Sequence, residues 1–129
     1  MEAKLRLLLV DDDATYREVA KELIEQLGHD CTVADDGQKA VELYRRVKPD
    51  GVLMDIMMPV MDGIEAFAVI LTEDPEAQVL FSSSLDAFPE GAPCEIPDGL
   101  QIRRKPWTLE TMREILKTLQ PRPAQQQVG

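Results

Sequence analysis

Val52-Leu53-Met54-Asp55-Ile56-Met57-Met58-Pro59-Val60-Met61-Asp62-Gly63 decides how the rest of this chain reads. A short apolar run delivers one carboxylate, Asp55, to its end. The chain then turns at Pro59 and leaves through Asp62-Gly63. An apolar strand followed at once by a proline-punctuated turn puts Asp55 at the strand's C-terminal tip. In parallel sheets that tip is where ligands bind.

The segments around this stretch alternate strand and helix. Leu5 to Val10 reads as a strand buried on both faces, because it is apolar without alternation, and it stops at Asp11-Asp12-Asp13. Three carboxylates after a core strand belong at a sheet edge or on a ligand. Asp13 is placed to cap a helix over 14–27 with Tyr16, Val19, Ala20, Leu23 and Leu27 on one face and Gly28 behind it. His29, the single histidine, is expected in an exposed loop. Cys31 to Ala34 is a strand, and Asp35-Asp36-Gly37 leads into a helix over 38–47 that Pro49 ends. After the opening stretch, Asp62 caps a helix over 64–71, and residues 77–82 form a strand running into Ser82-Ser83-Ser84. This β–α alternation predicts a parallel sheet with right-handed crossovers. No helical pattern follows at 85–98, where Pro89, Pro93 and Pro97 with Gly91 predict an irregular connector. Residues 99–103 form a last strand before Arg104-Lys105-Pro106-Trp107. Thr108 caps a final helix to about Leu119, with Leu109, Met112, Leu116 and Leu119 inward. Residues 1–120 form one domain, and 121–129 read as a flexible tail or the start of a linker.

Composition sets limits on function. The chain has 129 residues, enough for one core, and 44% of them are hydrophobic. Its formal net charge of −10 argues against binding nucleic acid or an anionic membrane, and suits cations or basic partner surfaces. Cys31 and Cys94 lack metal-site spacing and read as free thiols in a reducing compartment. The N-terminal apolar run is too short for a signal peptide or a membrane span, so a cytoplasmic location is expected.

The strand ends together offer Asp11 and Asp12, then Asp55, then Ser83 or a neighbouring serine, then Lys105. Clustered carboxylates raise one another's pKa unless a cation intervenes, and hard oxygen ligands suit Mg²⁺. A lysine ammonium and a serine hydroxyl can both engage phosphoryl oxygens. A metal-supported carboxylate can act as nucleophile and become an aspartyl-phosphate. The parts for phosphoryl transfer to an aspartate are therefore present.

On Asp11-Asp12, Asp55-Ile56-Met57-Met58-Pro59, Asp62-Gly63 and Lys105-Pro106, the sequence resembles the receiver domain of bacterial two-component response regulators, from Leu5 to about Leu119. The resemblance implies an α/β, flavodoxin-like, doubly wound sheet of five parallel strands in the order 2-1-3-4-5. Here the family's fourth helix is replaced by the proline-rich loop. It implies that Asp55 accepts a phosphoryl group from a histidine kinase's phosphohistidine. Asp12 ligates Mg²⁺ directly, Asp11 mainly through water, and Met57 supplies its backbone carbonyl, with Mn²⁺ a substitute. Lys105 pairs with the phosphoryl oxygens, Pro106 follows a cis peptide, and the spacing from Lys105 selects Ser83 as the hydroxyl residue. Met57 and Leu85 occupy positions that tune dephosphorylation. The implied partners are a sensor kinase or phosphotransfer protein, a downstream protein and, after phosphorylation, a second copy of the chain. As an enzyme it catalyses at most its own phosphorylation and dephosphorylation.

The sequence departs from the family pattern in two places that concern output. Ile102 stands where a switching aromatic is usual, and residues 85–98 either cover the sheet or form a partner surface around Phe88. Trp107, where Phe is common, reads as packing. The alternative function is a receiver-type scaffold acting without phosphorylation. Aspartate-nucleophile phosphatases want a second aspartate where Met57 stands, and a dinucleotide fold wants glycines where Asp11-Asp12-Asp13 stands.

Overall fold

The computed structural model describes residues 4–56, 58, 60–83, 102–104 and 108–122, without the side chains of Ser83 and residues 102–104. Along the chain run β1 (Arg6–Val10), α1 (Ala14–Gln26), β2 (Asp30–Ala34), α2 (Gly37–Val47), β3 (Gly51–Asp55), α3 (Gly63–Glu73), β4 (Val79–Ser83), β5 (Ile102–Arg104) and α4 (Leu109–Leu116). The strands form one parallel sheet in the order β2-β1-β3-β4-β5. The expected fold is therefore the observed one. The proline-rich connector and the tail beyond residue 122 lie outside the described residues.

The sheet is apolar on both faces, and successive side chains of each strand sort onto opposite cores. Leu8, Val10, Val52, Met54 and Phe81 pack with Tyr44 of α2 and Phe67 of α3. Leu7, Leu9 and Leu53 pack with Ala20 and Ile24 of α1 and Met112 and Leu116 of α4. Phe67 and Phe81 meet edge to face, 5.3 Å between centroids, a preferred aromatic geometry. The α1 stripe differs from expectation. Ile24 is wholly buried and Val19 is 47% exposed, because α1 presents Ala20 and Ile24, one turn apart, to the sheet.

The caps behave as the sequence predicts. Asp13, Asp36, Asp62 and Thr108 each accept from backbone N–H groups at a helix start, and Asp62 forms a reciprocal box with Glu65. At the end of α1, Gly28 takes a φ of +92°, its N–H bonds to Glu25 O, and His29 N–H bonds to Ile24 O. This doubly bonded helix end needs a left-handed residue, which glycine supplies without strain.

His29 corrects the expectation of an exposed loop. It is buried, and its Nδ1 accepts a 2.9 Å hydrogen bond from Leu5 N–H. The pairing of β1 with β2 folds this turn back under the start of β1, a contact across 24 residues that no local pattern reveals. Cys31 is free, and burial pushes its thiol up to about 12, so it stays protonated. Cys94 lies outside the described residues.

The segment after α4 is strapped to the N-terminal edge of the sheet. Gln120 exchanges two hydrogen bonds with Gln78. The buried Asp50 accepts from Arg6 N–H and Arg122 N–H, each at 2.7 Å. The Arg122 guanidinium reaches Asp74 at 2.6 Å, and Tyr44 donates to the same carboxylate at 2.6 Å. These contacts reach as far as Arg122. The Arg122 bond, with help from Tyr44, holds the Asp74 carboxyl below its ordinary value of 3.8. A carboxylate with a lowered native pKa adds stability above its unfolded pKa, and that stability is lost as pH falls through the native one. Arg122→Ala is expected to cost about 1–2 kcal/mol at neutral pH in urea unfolding. The difference from wild type should stay level down to about pH 4 and vanish below it.

Candidate functional site

The site is built by strand register. β1 and β3 pair with Val10 opposite Met54, so the next residues along, Asp11 just past β1 and Asp55 at the end of β3, come side by side. Carboxylate oxygens of Asp11, Asp12 and Asp55 lie within 4.8 Å of one another. Asp11 and Asp55 are buried at 4% and 7% exposure, whereas Asp12 faces solvent. The structure thus brings together the three acidic residues picked out in the sequence.

Asp11 is held at several points. Its N–H continues the ladder to Ala34 O at 3.1 Å, and its Oδ1 accepts from Asp13 N–H at 2.9 Å. Its carbonyl accepts from Arg17 Nη1 at 2.8 Å. Beyond Asp55 the turn is closed by Gly63 N–H on Ile56 O, 2.8 Å, and tied to α2 by Gly37 N–H on Met61 O, 3.0 Å. A side-chain carbon at Gly63 would collide with the Asp55 carbonyl, so α3 starts this close to the strand end only because residue 63 is glycine. Val60, 77% exposed, sits in this turn with a φ of +69°, a costly conformation for a β-branched residue.

The remaining predicted residues divide by position. β4 pairs with β3 so that Asp55 lies opposite Ser82, which is buried, and Ser83 is the next and last residue of the strand. Ser83 pairs with Arg104 of β5. Lys105 follows Arg104 but lies outside the described residues, as do Met57 and Leu85. Sequence reasoning missed Arg17. The available signal was a cation in the first turn of a helix, where the dipole disfavours one.

The donor set fits a small divalent cation. Octahedral Mg²⁺ bound at roughly 2.0–2.1 Å puts opposite ligands roughly 4 Å apart, a small inward adjustment from the observed cluster. Two buried carboxylates and one facing solvent provide anionic oxygens and leave a side open for water. Among the described residues this cluster could hold a metal ion. No helix of the described residues is long and apolar enough to cross a membrane.

Comparisons with known proteins agree on what this arrangement is similar to. A family model described as the response regulator receiver domain matches residues 7–117. The chemotaxis protein CheY of Listeria monocytogenes is 40% identical over 121 residues, covering 88% of this chain and 99% of that protein. Among solved structures, CheY in the CheX–CheY–BeF3–Mg complex of Borrelia burgdorferi superposes with a TM-score of 0.72 at 25% identity, covering 88% of this chain and 87% of that one. The response regulator TrrA of Thermotoga maritima, in complex with Mg²⁺ and BeF, shares the fold with a TM-score of 0.75 at 23% identity, over 90% and 98% of the two chains.

Gly63→Ala is expected to destabilise the protein by about 1–3 kcal/mol, as overpacking against fixed backbone does. Because the displaced group is the Asp55 carbonyl, the substitution should also disturb the acid cluster, read as a weaker response to added divalent cation in a calorimetric titration of the folded variant.

Proposed function

The chain belongs to the response regulator receiver-domain family, and from that premise we propose that Asp55 is its phosphoacceptor. The observation that carries this reading is the parallel register that sets Asp55 beside Asp11 with Asp12 in reach. A phosphohistidine on a sensor kinase or phosphotransfer protein is the donor. An Asp55 carboxylate oxygen attacks phosphorus, the P–N bond breaks, and the departing imidazole nitrogen takes up a proton. The product is an acyl phosphate on Asp55.

Asp11, Asp12 and Asp55 would hold Mg²⁺, with Mn²⁺ a substitute, and the Met57 carbonyl would complete the protein ligands. When bound, the ion supplies charge neutralisation for the incoming phosphoryl group. The chain's own residues do the rest. Burial of Asp55 keeps its attacking oxygen in a fixed direction. Ser83, whose backbone ends the neighbouring strand, would offer a hydroxyl to a phosphoryl oxygen, and Lys105, the residue after Arg104 in sequence, would offer a cation. The acyl phosphate then changes how the chain meets a downstream protein or a second copy of itself, in the cytoplasm. Residues 1–120 would form the receiver unit, with 121–129 a tail or the start of a linker.

Incubation with acetyl phosphate and Mg²⁺ should add one phosphoryl group in intact-mass spectra, and Asp55→Asn should add none. Labelling that survives this substitution would refute the assignment. Omitting Mg²⁺ or substituting Asp12→Asn should reduce the labelling rate at least about tenfold, as loss of a metal ligand does.

A further inference from the structure

We propose that Arg17 is a positioning residue for the acid cluster: it fixes the peptide joining Asp11 to Asp12 and thereby aims the Asp12 carboxylate. The inference rests on reading the cluster as the metal site.

Asp12 is the exposed member of the cluster, and among the described residues no hydrogen bond or ion pair holds its side chain. Its direction is therefore set by the backbone on either side. The carbonyl that accepts from Arg17 Nη1 at 2.8 Å is that of Asp11, half of the Asp11–Asp12 peptide. The N–H of Asp13, which begins the next residue, is held by Asp11 Oδ1 at 2.9 Å. With Asp11 N–H on Ala34 O, the backbone is pinned on both sides of Asp12. Arg17 supplies the one side-chain donor in that set.

After Lys39, whose hydrogen bond is the main cause, Arg17 also helps lower the Asp35 carboxyl at a distance, as the last and smallest cause of that shift. It is the fourth residue of α1, near the helix end where the dipole disfavours a cation. Among the described residues it pairs with no carboxylate. Asp35, across the groove that Arg17 lines, is taken by Lys39 at 2.9 Å. Lys21, one turn on, pairs with Glu25. The half-buried guanidinium instead points back at the strand end, where a fixed-fork donor loses little freedom on bonding a carbonyl.

The charge of Arg17 and its hydrogen bond act on metal affinity with opposite signs. Removing a cation near a divalent-ion site, taken alone, tightens the site. Removing a second-sphere hydrogen bond loosens it, typically by about 10- to 100-fold. The positioning role therefore predicts weaker binding in a variant that has also lost a repulsive charge.

The test is calorimetric titration of the full chain with Mg²⁺, at a temperature where circular dichroism shows each variant folded. Arg17→Ala should weaken binding about tenfold, and Arg17→Lys, which retains a cationic donor, should recover most of the loss. Arg17→Met, which keeps the aliphatic stem, replaces Arg17→Ala if the latter does not fold. Binding by the truncated variant as tight as wild type, or tighter, would overturn the positioning role while Asp12→Asn still abolished binding. If wild type itself took up no Mg²⁺, the metal reading would fall and the proposal with it.

Discussion

Carboxylates that share a strand-end edge repel one another, and the fold of this receiver domain is a device for holding them together regardless. The register that sets Val10 opposite Met54 makes Asp11 and Asp55 neighbours. That register is not free to slip. Moving β1 by one residue would turn Leu7 and Leu9 toward the face occupied by Leu8 and Val10 and empty both cores. The apolar packing of the whole sheet is thus what keeps two buried acids adjacent.

Much of this arrangement was legible in the chain. Unbroken apolar strands, aspartate and threonine caps and the alternation of periods specify a doubly wound sheet. The residues ending those strands specify the cluster of Asp11, Asp12 and Asp55. Helix faces were read less well. Val19 and Ile24 of α1 differ by less than two turns, and a stripe drawn through one misses the other. The contacts of His29 and Arg122 were not legible, because each depends on segments brought together only by strand order. Arg17 was marked only by its place as a cation in the first turn of α1, which names no partner. Its partner is a main-chain carbonyl, and no residue type in the sequence marks a carbonyl as needing a donor.

The two edges of the sheet carry different patterns of charge. At the C-terminal edge the carboxylates of Asp11, Asp12 and Asp55 gather. At the N-terminal edge, acids and bases are already matched. Arg45 pairs with Glu73, Arg122 with Asp74, and the guanidinium of Arg6 closes the end of α2 on the carbonyls of Val47 and Lys48. A cation on the last carbonyls of a helix also complements its dipole.

The strap at Arg122 has a mechanical consequence. Tension on the residues that follow it would load the bonds to Asp50 and Asp74 before it reached α4. Asp50 also accepts from the N–H that begins β1, so the load would pass into the sheet through β1 and its neighbour β3, both largely buried. The acid cluster, at the far end of those strands, would be shielded from any pull or swing of an attached chain.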